Sequence, residues 1–243
     1  MDKSSNPALS NKAFARFEGG AQADTMTVGG TLAKVGLAFV VLLATAAWGW
    51  SLAPLFGTVI PFWTIWVGLG LTLVVGFWAA FKANVVSVLL YAALEGLYLG
   101  LVSRFFEAAF DGIVVQAVLL TLAITAGMFI LFASGLVKVT QKLKSVILIA
   151  TVGVLIYLVV EFILALIFPG FANFVFTGPA GIIIAAIIVL IAALNLLLDF
   201  DTISKGVENK LNKKAEWYAA FGLMVTLIWL YVSILRLLAA SRR

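Results

Sequence analysis

The chain has 243 residues, 64% of them hydrophobic and only 11% charged, and its mean hydropathy is +1.17. Long apolar runs use up most of it, which excludes an ordinary soluble domain. With no His and no Cys, disulfides, thiolate chemistry, His-based triads and the usual zinc and haem ligands are excluded; the net charge of +5 reads as basic loops of a membrane protein, so no nucleic-acid partner is expected.

Residues 1–30 are polar and small, with Ser4, Ser5, Asn6, Pro7, Asn11, Gly19 and Gly20, and lack the early apolar run of a cleavable signal. They read as a flexible N-terminal tail, leaving residues 31–243 as a seven-span transmembrane domain. The spans are expected at Val35–Phe56, Pro61–Phe81, Val85–Phe105, Gly112–Leu136, Val146–Phe168, Phe176–Phe200 and Trp217–Ala240. Runs this long and unalternating suit helices, which satisfy their backbone groups internally, and not a barrel. The fold class is therefore an all-α membrane protein, a seven-transmembrane-helix bundle in contact with the lipid bilayer.

Loop charge sets the orientation. With the N-terminus cytoplasmic, Lys3, Lys12, Arg16, Lys34, Lys82, Lys138, Lys142, Lys144, Lys205, Lys210, Lys213 and Lys214 lie inside. Arg104, Arg236, Arg242 and Arg243 lie outside. The basic C-terminus would itself prefer the cytoplasm, which leaves a re-entrant last segment as an alternative. Trp48, Trp50, Trp63 and Trp66 flank the first outer loop as an interfacial belt. Pro179 suits the first turn of the sixth helix.

The polar groups inside this apolar background carry the functional argument. Glu95 lies mid-span with Tyr91 and Tyr98 on its helix face, and Gly96 and Gly100 give a GxxxG spacing for close helix approach. An ionisable group at that depth points to an ion path or gate, against a plain hydrogen-bonded carboxyl in the bundle. Glu161 follows Tyr157 by one turn near the outer end of the fifth span, where a structural role leads. At the end of the sixth span, Asn195, Asp199 and Thr202 share a face while Asp201 points elsewhere. Two carboxylates so close repel when both are ionised, which makes the pair pH-responsive, and the oxygen-rich cluster suits a hard cation such as Ca²⁺. The opposing reading is a helix end entering water beside the basic loop. The metal question stays open, since no DxDxDG loop is present. Thr226, Trp229 and Ser233 share a face of the last span, with Arg236 one turn on and free to pair with an acid of the bundle. The cation expected to hold Asp199 and Asp201 is Arg236 if the last helix is central and Lys205 otherwise.

Met26–Thr27–Val28–Gly29–Gly30–Thr31, Leu94–Glu95–Gly96–Leu97–Tyr98–Leu99–Gly100, Leu198–Asp199–Phe200–Asp201 and the run Glu216 to Leu223 together resemble the bacterial branch of the Bax inhibitor-1 family, the transmembrane Bax inhibitor motif proteins. So do Thr226 to Tyr231 and Ile234 to Leu238. The resemblance implies a bundle whose last helix is central and which conducts cations, notably Ca²⁺, in a pH-sensitive way across the bacterial cytoplasmic (inner) membrane. It further implies a sensor formed by acids of the sixth and seventh helices and bonded to a gating Arg. Asp201, or its neighbour Asp199, matches the sixth-helix acid. The seventh helix departs from the pattern, with Thr226 where an Asp is expected and Ser233 where an acid is expected in this branch.

The expected function is thus a pH-modulated, calcium-permeable leak channel with Ca²⁺ and protons as its ions and no cofactor. Asp199, Asp201, Glu95 and Arg236 form its ion path or pH sensor; Glu161, Asn195 and Thr226 are secondary candidates. The alternatives are a proton-coupled secondary transporter with Glu95 as relay, and a non-conducting regulator that binds other membrane proteins. An enzyme is not expected, because no Ser–Lys, HExxH or GxGD-type constellation lies within the spans.

Overall fold

The computed structural model describes residues 25–56, 62–168 and 178–242. Among the described residues there are seven α-helices: α1 Val28–Leu52, α2 Phe62–Phe81, α3 Val85–Ala109, α4 Ile113–Ala133, α5 Gln141–Ile167, α6 Gly178–Glu208 and α7 Ala215–Ser241. Among the described residues no β-strand occurs, only an isolated bridge between Thr25 and Asn212. Six helices, all but α2, are long and apolar enough to cross a membrane. In α2 the described stretch Gly70–Phe81 is apolar but shorter than a span. Large apolar side chains such as Val40, Leu43, Phe77, Leu119 and Ile149 stay exposed on the outer faces, as lipid contact requires.

Local chemistry fixes the helix starts. Thr27 caps α1 by accepting from the Gly30 amide at 2.9 Å. Asn84 and Ser87 form a reciprocal capping box on α3. Thr140 accepts from the Leu143 amide to start α5. Between α3 and α4 the carboxylate of Glu107 accepts from the amides of Gly112 and Val114, at 2.7 and 3.0 Å. Gly112 there takes a φ of 72°, which a side chain would oppose.

Several boundaries differ from the sequence expectation, two of them by about two turns. α1 begins at Val28 and not Val35, because Thr27 provides a cap and Gly29 and Gly30 are tolerated in the first turn. α6 continues to Glu208, two turns beyond Phe200, so Asp199 and Asp201 lie within a helix and not at its watery end. Hydropathy marks where a chain is apolar, and a helix continues past that point wherever polar side chains find partners. Pro179 does fall in the first turn of α6. The loop Gly57–Ile60 and the side chains of Trp63 and Trp66 lie outside the described residues, as do residues 1–24 of the polar tail.

α1 and α3 pack most intimately. A Cβ on Gly96 would strike the carbonyl of Leu42 and the hydroxyl of Thr45, and one on Gly100 the carbonyl of Ala46. Gly49 meets the Leu97 carbonyl in the same way. The GxxxG spacing therefore has the expected role: backbones approach where side chains are missing. Gly100→Val is expected to cost about 1–3 kcal/mol through overpacking, measured by unfolding in mixed micelles. α7 packs along α6 and also touches α1, α2, α3 and α4.

The two ends of the molecule carry different charge. Met26 donates its amide to the Leu211 carbonyl, so the N-terminal segment and the α6–α7 loop share one end. At the other end the Arg242 guanidinium donates to the Asp111 carbonyl and to Gln116, both at 2.8 Å. α7 thus runs the length of the bundle, and its C-terminus lies at the end opposite the basic loops.

Candidate functional site

A polar seam runs between α5 and the α6–α7 pair. α5 contributes Lys144, Thr151, Tyr157 and Glu161; α6 contributes Asp201 and Asn195; α7 contributes Ser233 and Arg236. At the basic end the Asp201 carboxylate pairs with Lys144 at 2.6 Å and with Lys205, one turn along α6, at 3.1 Å. Lys144 and Asp201 are both buried. Asp199 is buried as well, with only 1% of its surface exposed. About 9 Å further along the axis, Asn195 donates to the Thr151 hydroxyl at 2.8 Å and to the Ile191 carbonyl at 2.8 Å. At the far end Arg236 donates to the buried carboxylate of Glu161 at 2.8 Å. Beside that pair an open cleft is lined by Tyr157, Gly181, Ile184, Ile188, Ser233 and Arg236.

The pairing of Arg236 with the Asp199/Asp201 pair is therefore corrected. α6 and α7 are antiparallel neighbours, so the C-terminal half of α6 lies beside the start of α7. About twenty residues, or about 30 Å of helix, separate that start from Arg236. Its partner is Glu161. Lys144 and Lys205 hold Asp201; Lys205 is the cation expected for the aspartates where Arg236 does not reach them, while Lys144 reads in the sequence only as a loop charge. The signals were present: Lys205 follows Asp201 by four residues, and Thr151 follows Lys144 by seven, on one face of α5. Thr226 is buried, but its hydroxyl turns back to the Gly222 carbonyl, and Ser233 does the same with Trp229. Neither contacts an acid of α6 through these bonds.

Glu95 belongs to a different place. The Thr72 hydroxyl of α2 donates to its carboxyl, and Tyr91 and Tyr98 lie beside it. Tyr91 stacks edge-on against Phe221 of α7 at 5.1 Å. The α2–α3 contact is thus separate from the seam.

Sequence reasoning missed Glu216 as an individual residue. This carboxylate in the first turn of α7 is fully buried. One oxygen accepts from the Thr27 amide at 2.9 Å and the Thr27 hydroxyl at 3.1 Å, and the other pairs with Lys34. Lys34 also sits 5.5 Å over the Trp217 ring. The carboxylate occupies the space a Cβ on Gly30 would need. Three separated stretches, Thr27–Gly30, Lys34 and Glu216–Trp217, are thereby explained by one clasp. Among the described residues no group of three or more acids gathers to hold a metal ion.

The family model described as Bax inhibitor 1 like matches residues 6–243, nearly the whole chain, and the chain belongs to that family. It is an integral membrane protein. No curated protein and no solved structure matches it.

Proposed function

We propose that this member of the Bax inhibitor 1 like family is a pH-modulated, calcium-permeable leak channel, a seven-span bundle with α7 as its axis. The reading that the α5–α6–α7 seam is the ion path rests on one observation above all: the buried Asp201 carboxylate held between Lys144 and Lys205. While Asp201 is ionised it bridges two ammonium groups and fastens α5 to α6. Once it takes a proton the two cations face each other. At a separation of about 5 Å and an effective dielectric of about 20, their repulsion is about 3 kcal/mol. That is enough to shift a two-state gate by about a hundredfold, so acid opens the seam. Asn195, Thr151 and the carboxylates offer oxygen ligands of the kind Ca²⁺ accepts.

The test is Ca²⁺ flux into liposomes holding only the purified protein, followed across pH. Flux that rises as pH falls supports the channel. Flux no greater than in empty liposomes sinks it in favour of a regulator that binds other membrane proteins. Saturable uptake that collapses with the proton gradient assigns a proton-coupled transporter instead.

We further propose that the membrane is the bacterial inner membrane and that the N-terminus and the α6–α7 loop face the cytoplasm, following the basic-residue bias. A single Cys at Ser204 in this cysteine-free chain should then resist an impermeant thiol reagent added to intact cells. Rapid labelling from outside reverses the orientation.

A further inference from the structure

The contact between α2 and α3 is built as a three-rung ladder. Gly68, Thr72 and Gly76 follow one another at four-residue spacing along one face of α2. Opposite them, in reverse order, stand Tyr98, Glu95 and Tyr91 of α3. A Cβ on Gly68 would lie 2.8 Å from the Tyr98 ring, and one on Gly76 3.2 Å from the Tyr91 ring. The two missing side chains seat the tyrosines and bring Thr72 against Glu95, where the hydroxyl donates to the carboxyl. Tyr91, stacked on Phe221, links the same ladder to α7.

The charges around Glu95 are all spoken for elsewhere. α2 and α4 carry no charged side chain. α1 carries only Lys34, which pairs with Glu216 of α7 at the basic end. Arg236 of α7 pairs with Glu161 of α5. On α3 itself, Arg104 stacks on Trp50 at 5.2 Å, and Glu107 caps α4. The titratable neighbours that face Glu95 are Tyr91 and Tyr98. They are hydrogen-bonding phenols, and neither supplies a positive charge.

A carboxyl in the middle of an apolar helix, met by the Thr72 hydroxyl and flanked by two tyrosines but by no cation, has a proton as its natural occupant. We propose that Glu95 is a proton-binding site that docks α2 onto α3. With the proton bound, the neutral carboxyl and Thr72 close the central rung between the two Gly–Tyr rungs. When the proton leaves, the charge demands water, and the route to water is separation of α2 from α3. This proton site is distinct from the Asp201 lock, and the two respond in opposite senses: acid releases the lock and tightens the ladder.

The test uses Gly68→Cys with Tyr98→Cys, which places a thiol pair across the outer rung of a chain with no other Cys. The rate of disulfide formation is compared at each pH with that of the same pair carrying Glu95→Gln. Taking the ratio cancels the ionisation of the thiols. The ratio should lie near one in acid and fall at least about threefold in alkali as the docked population declines. A ratio that stays flat overturns the proposal. Where Glu95→Gln fails to fold, Thr72→Val serves, since it keeps the carboxyl and removes the tie. It should lower the acid rate toward the alkaline one, and an unchanged rate overturns the proposal. The readout is helix contact and not ion flux, so its outcome is independent of whether the protein conducts.

Discussion

Asp201→Asn should cost the protein about 3 kcal/mol and remove most of its pH response. Breaking one partner out of a buried ion pair costs about 3–5 kcal/mol, because the remaining charge stays buried without compensation. The lower end applies here. Lys144 is buried with its side chain 7% exposed, but Lys205, at 37%, can turn to water. The variant also fixes the lock in the state that acid produces, so its Ca²⁺ flux at neutral pH should match the acidic flux of the parent. Asp199→Asn should lose less of the response, since the two lysines pair with Asp201. Adding Lys144→Met to Asp201→Asn should recover most of the lost stability, because an apolar side chain of similar length replaces the stranded ammonium. Unfolding in mixed micelles measures the first effect and liposome flux the second. Either a double variant no more stable than Asp201→Asn, or an Asp201→Asn protein that titrates like the parent, removes the lock.

The fold was legible in the sequence to the extent that burial in lipid writes itself as hydropathy. The seven apolar runs match seven helices, and the Gly96–Gly100 spacing located the closest helix contact. The polar ends were not legible in that way. Val28–Lys34 and the last two turns of α6 are helical because Thr27, Glu216, Lys144 and Lys205 give their polar groups partners. Two of those partners, Glu216 and Lys144, are distant in sequence from the segments they hold. The same limit governed the site. Depth in the spans drew attention to Glu95, Glu161, Asp199 and Asp201, but the partner of each depends on which helices are neighbours and which way they run. Of the two cations expected for the aspartates, Arg236 meets Glu161 for that reason and Lys205 meets Asp201. Glu216 escaped notice because one turn from a basic loop a carboxylate looks solvated, and only its packing against Gly30 and Thr27 reveals that it is buried.

Glu216→Ala is expected to be the most destabilising single change in the basic end, at about 3–5 kcal/mol. It strands Lys34 and leaves the Thr27 amide, a part-buried donor at the start of α1, without its acceptor. Glu216→Gln should cost less, since an amide oxygen still accepts from Thr27 while the ion pair is lost. A merely general weakening of α7 would also destabilise, so the decisive measurement is a double-mutant cycle with Gly30→Ala. In the parent, the new methyl group collides with the carboxylate and should cost about 1–3 kcal/mol. In the Glu216→Ala background the space is already empty, and the same methyl should cost close to nothing. The cycle should therefore return a coupling of about 1 kcal/mol or more between residues 186 positions apart, the size expected of groups in direct contact. Additive effects would mean that Gly30 does not meet Glu216, and that the first helix is held to the last by something other than this carboxylate.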